Sequence, residues 1–221
     1  MNNNLTKRFI SSLIILPIAL LFIINGSFFF IFFLSILFLV TSYEWVKMSK
    51  KKILYKILGI IFLILSFYSA FNLRTYAGLN FFLFIILISI FTDIGGYIFG
   101  KFFKGPKLTK ISPNKTYSGV IGSLIMPVFA GLLYIQYMRV PLGVIVPIKL
   151  DTLSNNFDLT FLIMILSISI ISQLGDLTIS YFKRLSKIKD TGKILPGHGG
   201  LLDRVDGLIF VIPISYLLVV L

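Results

Sequence analysis

"FLIMILSISIISQLGDLTISYFKRLSKIKD", residues 161–190, decides the fold. The stretch is Phe, Leu, Ile and Met with small serines, and no charge interrupts it before Asp176. It ends in Lys183, Arg184, Lys187 and Lys189. An apolar run of this length, closed by a basic flank, reads as a bilayer-spanning helix whose polar end faces the cytoplasm.

The same pattern recurs along the chain. Of 221 residues, 57% are hydrophobic, 15% aromatic and only 13% charged, with a mean hydropathy of +0.98. Soluble domains carry about a quarter charged residues. The composition leaves no room for a sizeable soluble domain, and the expected class is an all-α, polytopic membrane protein. Seven spans can be drawn, over roughly 9–25, 27–47, 53–71, 79–100, 117–138, 157–183 and 200–221. The start, "MNNNLTKRFISSLIILPIALLFIIN", has a signal-like basic head and apolar core. No small-x-small cleavage site follows it, so it is expected to be retained as the first span. Cysteine is absent, which excludes disulfides, thiolate metal sites and a cysteine nucleophile.

Orientation follows from the basic residues. With the N-terminus in the cytoplasm, eighteen Lys and Arg fall inside and only Arg74, Arg139 and Lys149 outside. The long cytoplasmic connections are about 101–116 and 184–199. The outer loop 139–156 holds "VPLGVIVPI", expected to be interfacial or re-entrant.

Ionisable groups within a span cost about 2.5–3.5 kcal/mol each at the bilayer centre. They persist where they meet water, a partner or a metal. Glu44, Asp93, Asp176, Asp190, Asp203 and Asp206 all map to the cytoplasmic side. In "SQLGDLTIS" (172–180), Ser172, Asp176 and Ser180 share one helix face. In "GHGGLLDRVDG" (197–207), Asp203 and Asp206 share another, in the first turns of the last span, where the helix dipole favours anions. Side by side, the two helix ends bring three carboxylates together. Such a group repels itself unless a cation holds it, and an oxygen-only set suits Mg²⁺. Lys183, Arg184, Lys187, Lys189 and Lys193 crowd one loop, and Lys101 to Lys115 crowd the other. Acids ringed by bases suit a polyphosphate carried on Mg²⁺. The glycines of "PGHGG" can bring backbone N–H groups close to a phosphate. Each feature has a plainer explanation alone: topology for the basic loops, an ion pair for a lone Asp, close helix packing for "TDIGGYIFGK" (92–101). The combination is harder to explain that way.

"SYFKRLSKIKDTGKILPGHGGLLDRVDG" (180–207) resembles the signature of the phosphatidate cytidylyltransferase (CDP-diacylglycerol synthase) family. The matching residues are Ser180, Lys183, Arg184, Lys189, Asp190, Pro196, His198, Gly199, Gly200, Asp203, Arg204 and Asp206. "QLGDL" upstream fits as well, and so does "DIGGYIFGK" followed by "ISPNKTYSG". The resemblance spans about residues 90 to 210. Where the family reads close to "SPKKTWEG", this chain has Asn114, Tyr117 and Ser118.

The resemblance implies transfer of CMP from CTP to phosphatidate, giving CDP-diacylglycerol and pyrophosphate. It implies catalytic roles for Asp176, Lys183, Arg184, Asp203 and Asp206, with Asp176, Asp203 and Asp206 on Mg²⁺. A second cation, including a monovalent one, is compatible with that set. Substrate contacts are expected from Lys101, Ser112, Lys115, Ser180, Lys189, Asp190, Lys193, His198, Gly199, Gly200 and Arg204. The expected division is into N-terminal spans, 1–80, and a catalytic membrane region, 81–221, within one membrane domain. The partners are CTP, phosphatidate and the bilayer, with no nucleic acid. A homodimer is a family-level expectation. The expected location is the bacterial plasma membrane, with the site on the cytoplasmic side. A transporter with buried carboxylates is the alternative from another class. It predicts acids near the bilayer midplane and two related halves, and neither is found here.

Overall fold

The computed structural model describes residues 3–49, 52–109, 111–138, 157–195, 197 and 199–220. They form helices α1 (Asn3–Asn25), α2 (Ser27–Met48), α3 (Ile53–Tyr76), α4 (Gly78–Phe103), α5 (Tyr117–Met138), α6 (Phe157–Leu185), α7 (Leu202–Val205) and α8 (Leu208–Val220). Among the described residues there is no strand, and the all-α class holds. The loop expected to be interfacial, 139–156, lies outside the described residues, as do Lys110, Pro196 and His198.

Among the described residues five helices are long and apolar enough to cross a bilayer: Ser27–Met48, Ile53–Tyr76, Gly78–Phe103, Tyr117–Tyr137 and Phe161–Leu185. Ile15–Asn25 and Leu208–Val219 are apolar but shorter. The last expected span therefore needs correction. Instead of one helix over 200–221, a four-residue helix, α7, precedes α8. Asp206 is the C-cap of α7, and Gly207 opens α8 with its carbonyl, which accepts from Phe210 N and Val211 N at 3.1 Å each. Glycine is a poor helix former. A methyl group at position 207 would also overlap the Ser172 hydroxyl. Asp203 falls in the first turn of α7, and Asp206 lies between α7 and α8, just ahead of Gly207.

The chain packs as two units, one of Met1–Phe71 with Tyr181–Asp206 and one of Asn72–Ser180 with Gly207–Leu221. These units describe packing. The division of labour into 1–80 and 81–221 is a separate matter and stands as a proposal.

In the first unit α2 packs on α1 and on α7. Phe22 stacks on Phe33 at 5.6 Å, and Phe38 meets Phe67 edge-on at 5.7 Å. Trp45 is the anchor at the far end of α2. Its ring stands edge-on to Phe182 at 5.0 Å, and its indole N–H donates to Tyr55 O at 3.0 Å. That bond satisfies the one polar atom of a buried indole. Leu39 and Ile61 are left exposed, as lipid-facing residues of a membrane protein are.

In the second unit α4 lies against α5. Lipid tails are as apolar as leucine, so apolar burial alone does not drive helices together in a bilayer. Close backbone approach and dispersion do. A methyl group on Gly122 would overlap the Phe99 side chain and the Gly95 carbonyl, and one on Gly95 would overlap the Gly122 carbonyl. Gly95 of "TDIGGYIFGK" thus serves packing. Phe84, Ile85, Ile88, Ile165 and Ile168 fill this core, with the Phe84 and Phe161 rings 5.7 Å apart. Buried hydroxyls find carbonyls within it. Ser169 Oγ donates to Ser123 O, Thr92 Oγ1 to Ile88 O at 2.8 Å and Tyr134 OH to Asn80 O at 3.0 Å.

Candidate active site

In the first unit the polar chemistry is organised by the loop between α6 and α7. Helix α6 ends with Ile188 N donating to Lys183 O and Lys187 N to Arg184 O, both at 3.0 Å. Lys187 takes the left-handed conformation, φ 55°. This is a Schellman stop with lysine where glycine is usual. The chain then turns back through Gly197 and Gly199, at φ 77° and 88°, and Leu195 N donates to Gly199 O at 3.0 Å.

Two carboxylates hold that loop. Asp203 Oδ1 takes Lys183 Nζ at 2.8 Å. Asp203 Oδ2 accepts from Thr191 N at 2.8 Å, Thr191 Oγ1 at 3.1 Å and Gly200 N at 3.1 Å. Burial alone would raise the Asp203 carboxyl. The Lys183 hydrogen bond, the Thr191 N–H, the Lys183 charge and the Gly200 N–H together outweigh it and hold the group below the ordinary carboxylate range.

The second carboxylate is Glu44 on α2, only 1% exposed. Its oxygens accept from Leu201 N at 3.1 Å, Leu202 N at 2.8 Å and Thr191 Oγ1 at 3.0 Å. The single Thr191 hydroxyl hydrogen is shared between Glu44 and Asp203. No Cβ fits at Gly200, where it would overlap Thr191 Oγ1 and Glu44. The sequence marks Glu44 only as a polar residue near the end of an apolar span. An acid in such a run is the signal that could have identified it.

These contacts revise one expectation. The Gly200 N–H, offered by the sequence to a phosphate, donates to Asp203, and the next two N–H groups donate to Glu44. A carboxylate brought in from α2 satisfies the first amide donors of α7.

In the second unit Asp176 on α6 forms an ion pair with Lys115 and accepts from Ser180 Oγ at 3.3 Å. Lys115 is positioned by its own loop. Leu108 N donates to Lys115 O at 2.8 Å, Lys115 N to Ser112 O at 3.1 Å and Ser112 N to Thr109 Oγ1 at 3.2 Å. Thr116 then caps α5, its hydroxyl accepting from Gly119 N at 3.2 Å. Ser118, at a position that departs from the family pattern, bonds Thr116 Oγ1 at 2.9 Å and donates to Lys104 O. Asn114 and Tyr117, the other departures, are exposed.

The structure thus brings Lys183, Thr191, Gly200 and Asp203 together in one unit. Asp190 lies beside Gly199 there. In the other unit it brings Lys115, Asp176 and Ser180 together, with Ser112 behind Lys115. Asp176 belongs to one unit, Asp203 and Asp206 to the other. Among the described residues no three His, Asp or Glu side chains gather as a cation cage. Arg184 and Arg204 are exposed, Asp206 is half-buried, and Lys101 lies over the Tyr97 ring at 5.6 Å. Lys189 and Lys193 line a cavity in the first unit.

Residues 49–221 match the model of a family described as the cytidylyltransferase family. The chain is 43% identical over 137 residues to a protein of Brucella suis biovar 1 (strain 1330) named phosphatidate cytidylyltransferase, covering 62% of this chain and 44% of that one. It is 41% identical over 146 residues to one of the same name from Staphylococcus haemolyticus (strain JCSC1435), covering 65% and 50%. The figures for the Staphylococcus aureus (strain COL) protein of that name are 38% over 144 residues, 65% and 50%. The chain spans about half the length of the curated relatives it matches.

Proposed function

Because this chain belongs to the cytidylyltransferase family, we propose that it transfers CMP from CTP to phosphatidate, releasing CDP-diacylglycerol and pyrophosphate. The observation that carries this reading is the Lys183–Asp203 pair at 2.8 Å, set inside the signature segment and oriented by Thr191 and Gly200. It holds an ammonium group in a fixed place within the signature segment, the kind of cation that neutralises charge developing on a phosphoryl group.

The nucleophile is the phosphate monoester of phosphatidate. Its second pKa is about 6, so it is anionic near neutral pH without a general base. What remains for the protein is alignment and charge neutralisation. Lys183 and Arg184 neutralise charge on the departing pyrophosphate or hold the lipid phosphate. Lys101, Ser112, Lys115, Ser180, Lys189, Asp190, Lys193, His198, Gly199 and Arg204 are proposed substrate contacts, and Gly200, whose N–H Asp203 takes, is proposed to act through that carboxylate.

Carboxylates are the ligand type that suits Mg²⁺. Asp203 has one oxygen fixed by three donors and the other on a cationic ammonium, which is how a carboxylate ligand is held ready for a metal. Asp176 has the same form, with Ser180 on one oxygen and Lys115 on the other. Asp176, Asp203 and Asp206 are the residues that would hold it. When bound, Mg²⁺ would neutralise the triphosphate and polarise its α-phosphorus. The basic-residue distribution supports a site facing the cytoplasm, and a bacterial plasma membrane is proposed as its location. Dimerisation is proposed at the level of the family.

The test is an assay of the purified full chain with radiolabelled CTP and phosphatidate, with and without Mg²⁺. Labelled CDP-diacylglycerol should form with Mg²⁺ present. Its absence, in protein that is folded by thermal melting, would end the proposal.

A further inference from the structure

A cavity of about 770 Å³ lies in the first unit beside the signature loop. Its size is that of a small-molecule site. Four lysines line it, Lys47 from the last turn of α2, Lys52 from the α2–α3 connection and Lys189 and Lys193 from the loop, against one carboxylate, Asp190. Its remaining wall is largely apolar, with Met48 and Tyr55 among the lining residues. Lys52 is held over the Tyr55 ring at 5.0 Å, so its charge stays at the cavity wall.

Ser49 supplies a second, independent observation. It lines the cavity, is 7% exposed, and its hydroxyl has no hydrogen-bond partner among the described residues. A buried hydroxyl without a partner is destabilising, and a ligand oxygen would supply the missing hydrogen bond. Lys47 lies outside the stretch that the family match covers.

We propose that this cavity binds a phosphate group, with Lys47, Ser49 and Lys52 joining Lys189 and Lys193 as its ligands. The chemistry fits two sources, the phosphomonoester of phosphatidate and the triphosphate of CTP. The apolar wall favours the lipid. The assignment rests on the proposed cytidylyltransferase reading for the identity of both ligands.

The test measures binding to the purified full chain in detergent without turnover, using short-chain phosphatidate in one arm and CTP without divalent metal in the other. In Lys47→Ala/Lys52→Ala, affinity for one ligand should fall about twenty-five-fold, two lysine–phosphate contacts at about five-fold each. Lys47→Arg/Lys52→Arg should retain binding, which separates charge from folding. Lys56→Ala/Arg74→Ala, with the same loss of charge elsewhere, should bind like the parent. Loss confined to phosphatidate assigns the cavity to the lipid, and loss confined to CTP assigns it to the nucleotide. Unchanged affinity for both in the alanine pair overturns the proposal. Binding through this cavity by a chain that makes no CDP-diacylglycerol would refute the activity and leave the site. Activity with unaltered binding in the alanine pair would refute the site alone.

Discussion

Glu44 Oε2 accepts the Leu202 N–H at 2.8 Å across 158 positions of sequence. The contact joins the end of α2 to the start of α7 and fixes the loop that presents Lys183 and Asp203. It places outside the signature a residue on which the signature's geometry depends.

Glu44→Ala should leave the Leu201 and Leu202 N–H groups without their acceptor and the Thr191 hydroxyl with Asp203 alone. Each unsatisfied buried group costs about 1–3 kcal/mol. Thermal melting should fall, and turnover should fall more than the KM for CTP rises. Glu44→Asp, one methylene shorter, should recover part of both. An alanine variant with unchanged melting and turnover would remove Glu44 from this role.

Asp206→Asn should abolish CTP-dependent lipid product while melting like the parent. His198→Ala should reduce the rate only in part, since the phosphate nucleophile needs no base. Equal losses in the two variants would assign the histidine a larger part than charge and positioning give it.

The α4–α5 crossing predicts a contrast between two glycines. Gly122→Ala forces a methyl into Phe99 and the Gly95 carbonyl, and overpacking of this kind costs about 1–3 kcal/mol. At Gly96 the nearest atoms to an added Cβ are 3.7 Å away, an ordinary contact, so Gly96→Ala should be near neutral. Melting of the two variants in one detergent checks this, and equal effects would refute the packing argument.

Acid should loosen the loop in metal-free protein. The folded Asp203 carboxyl lies below its usual value, so its contribution is complete above about pH 4 and is lost as pH falls through the folded value. Limited proteolysis between 183 and 206 should increase over that range in the parent, whereas Asp203→Asn should be susceptible already at neutral pH. Identical profiles would show that this pairing does not hold the loop.

The chain has no cysteine, so Lys110→Cys gives a single labelling site. Membrane-impermeant maleimide should reach it only in inverted vesicles. Labelling of intact cells would reverse the topology.

The class was legible because backbone hydrogen bonding in lipid leaves helices as the solution for long apolar runs. Ser27–Met48 and Phe161–Leu185 could be drawn from composition alone. The break at Gly207 was less legible, because apolar content runs on through it and only local contacts divide α7 from α8. The candidate acids and bases were legible as types. The Asp176–Ser180 contact was legible as an i, i+4 pair on one helix.

The sequence alone determined that this protein spans a membrane, which side its charges favour, and which side chains could handle phosphate. Those properties depend on side-chain chemistry and on spacing within single helices. Only the tertiary structure decided that Thr191 stands between Glu44 and Asp203, 147 positions from the one and 12 from the other. It also decided that the loop's N–H groups are taken by carboxylates, and that Lys47 and Lys52 line a cavity with Lys189 and Lys193. A buried donor takes whichever acceptor folding brings within reach, and no local pattern encodes that choice.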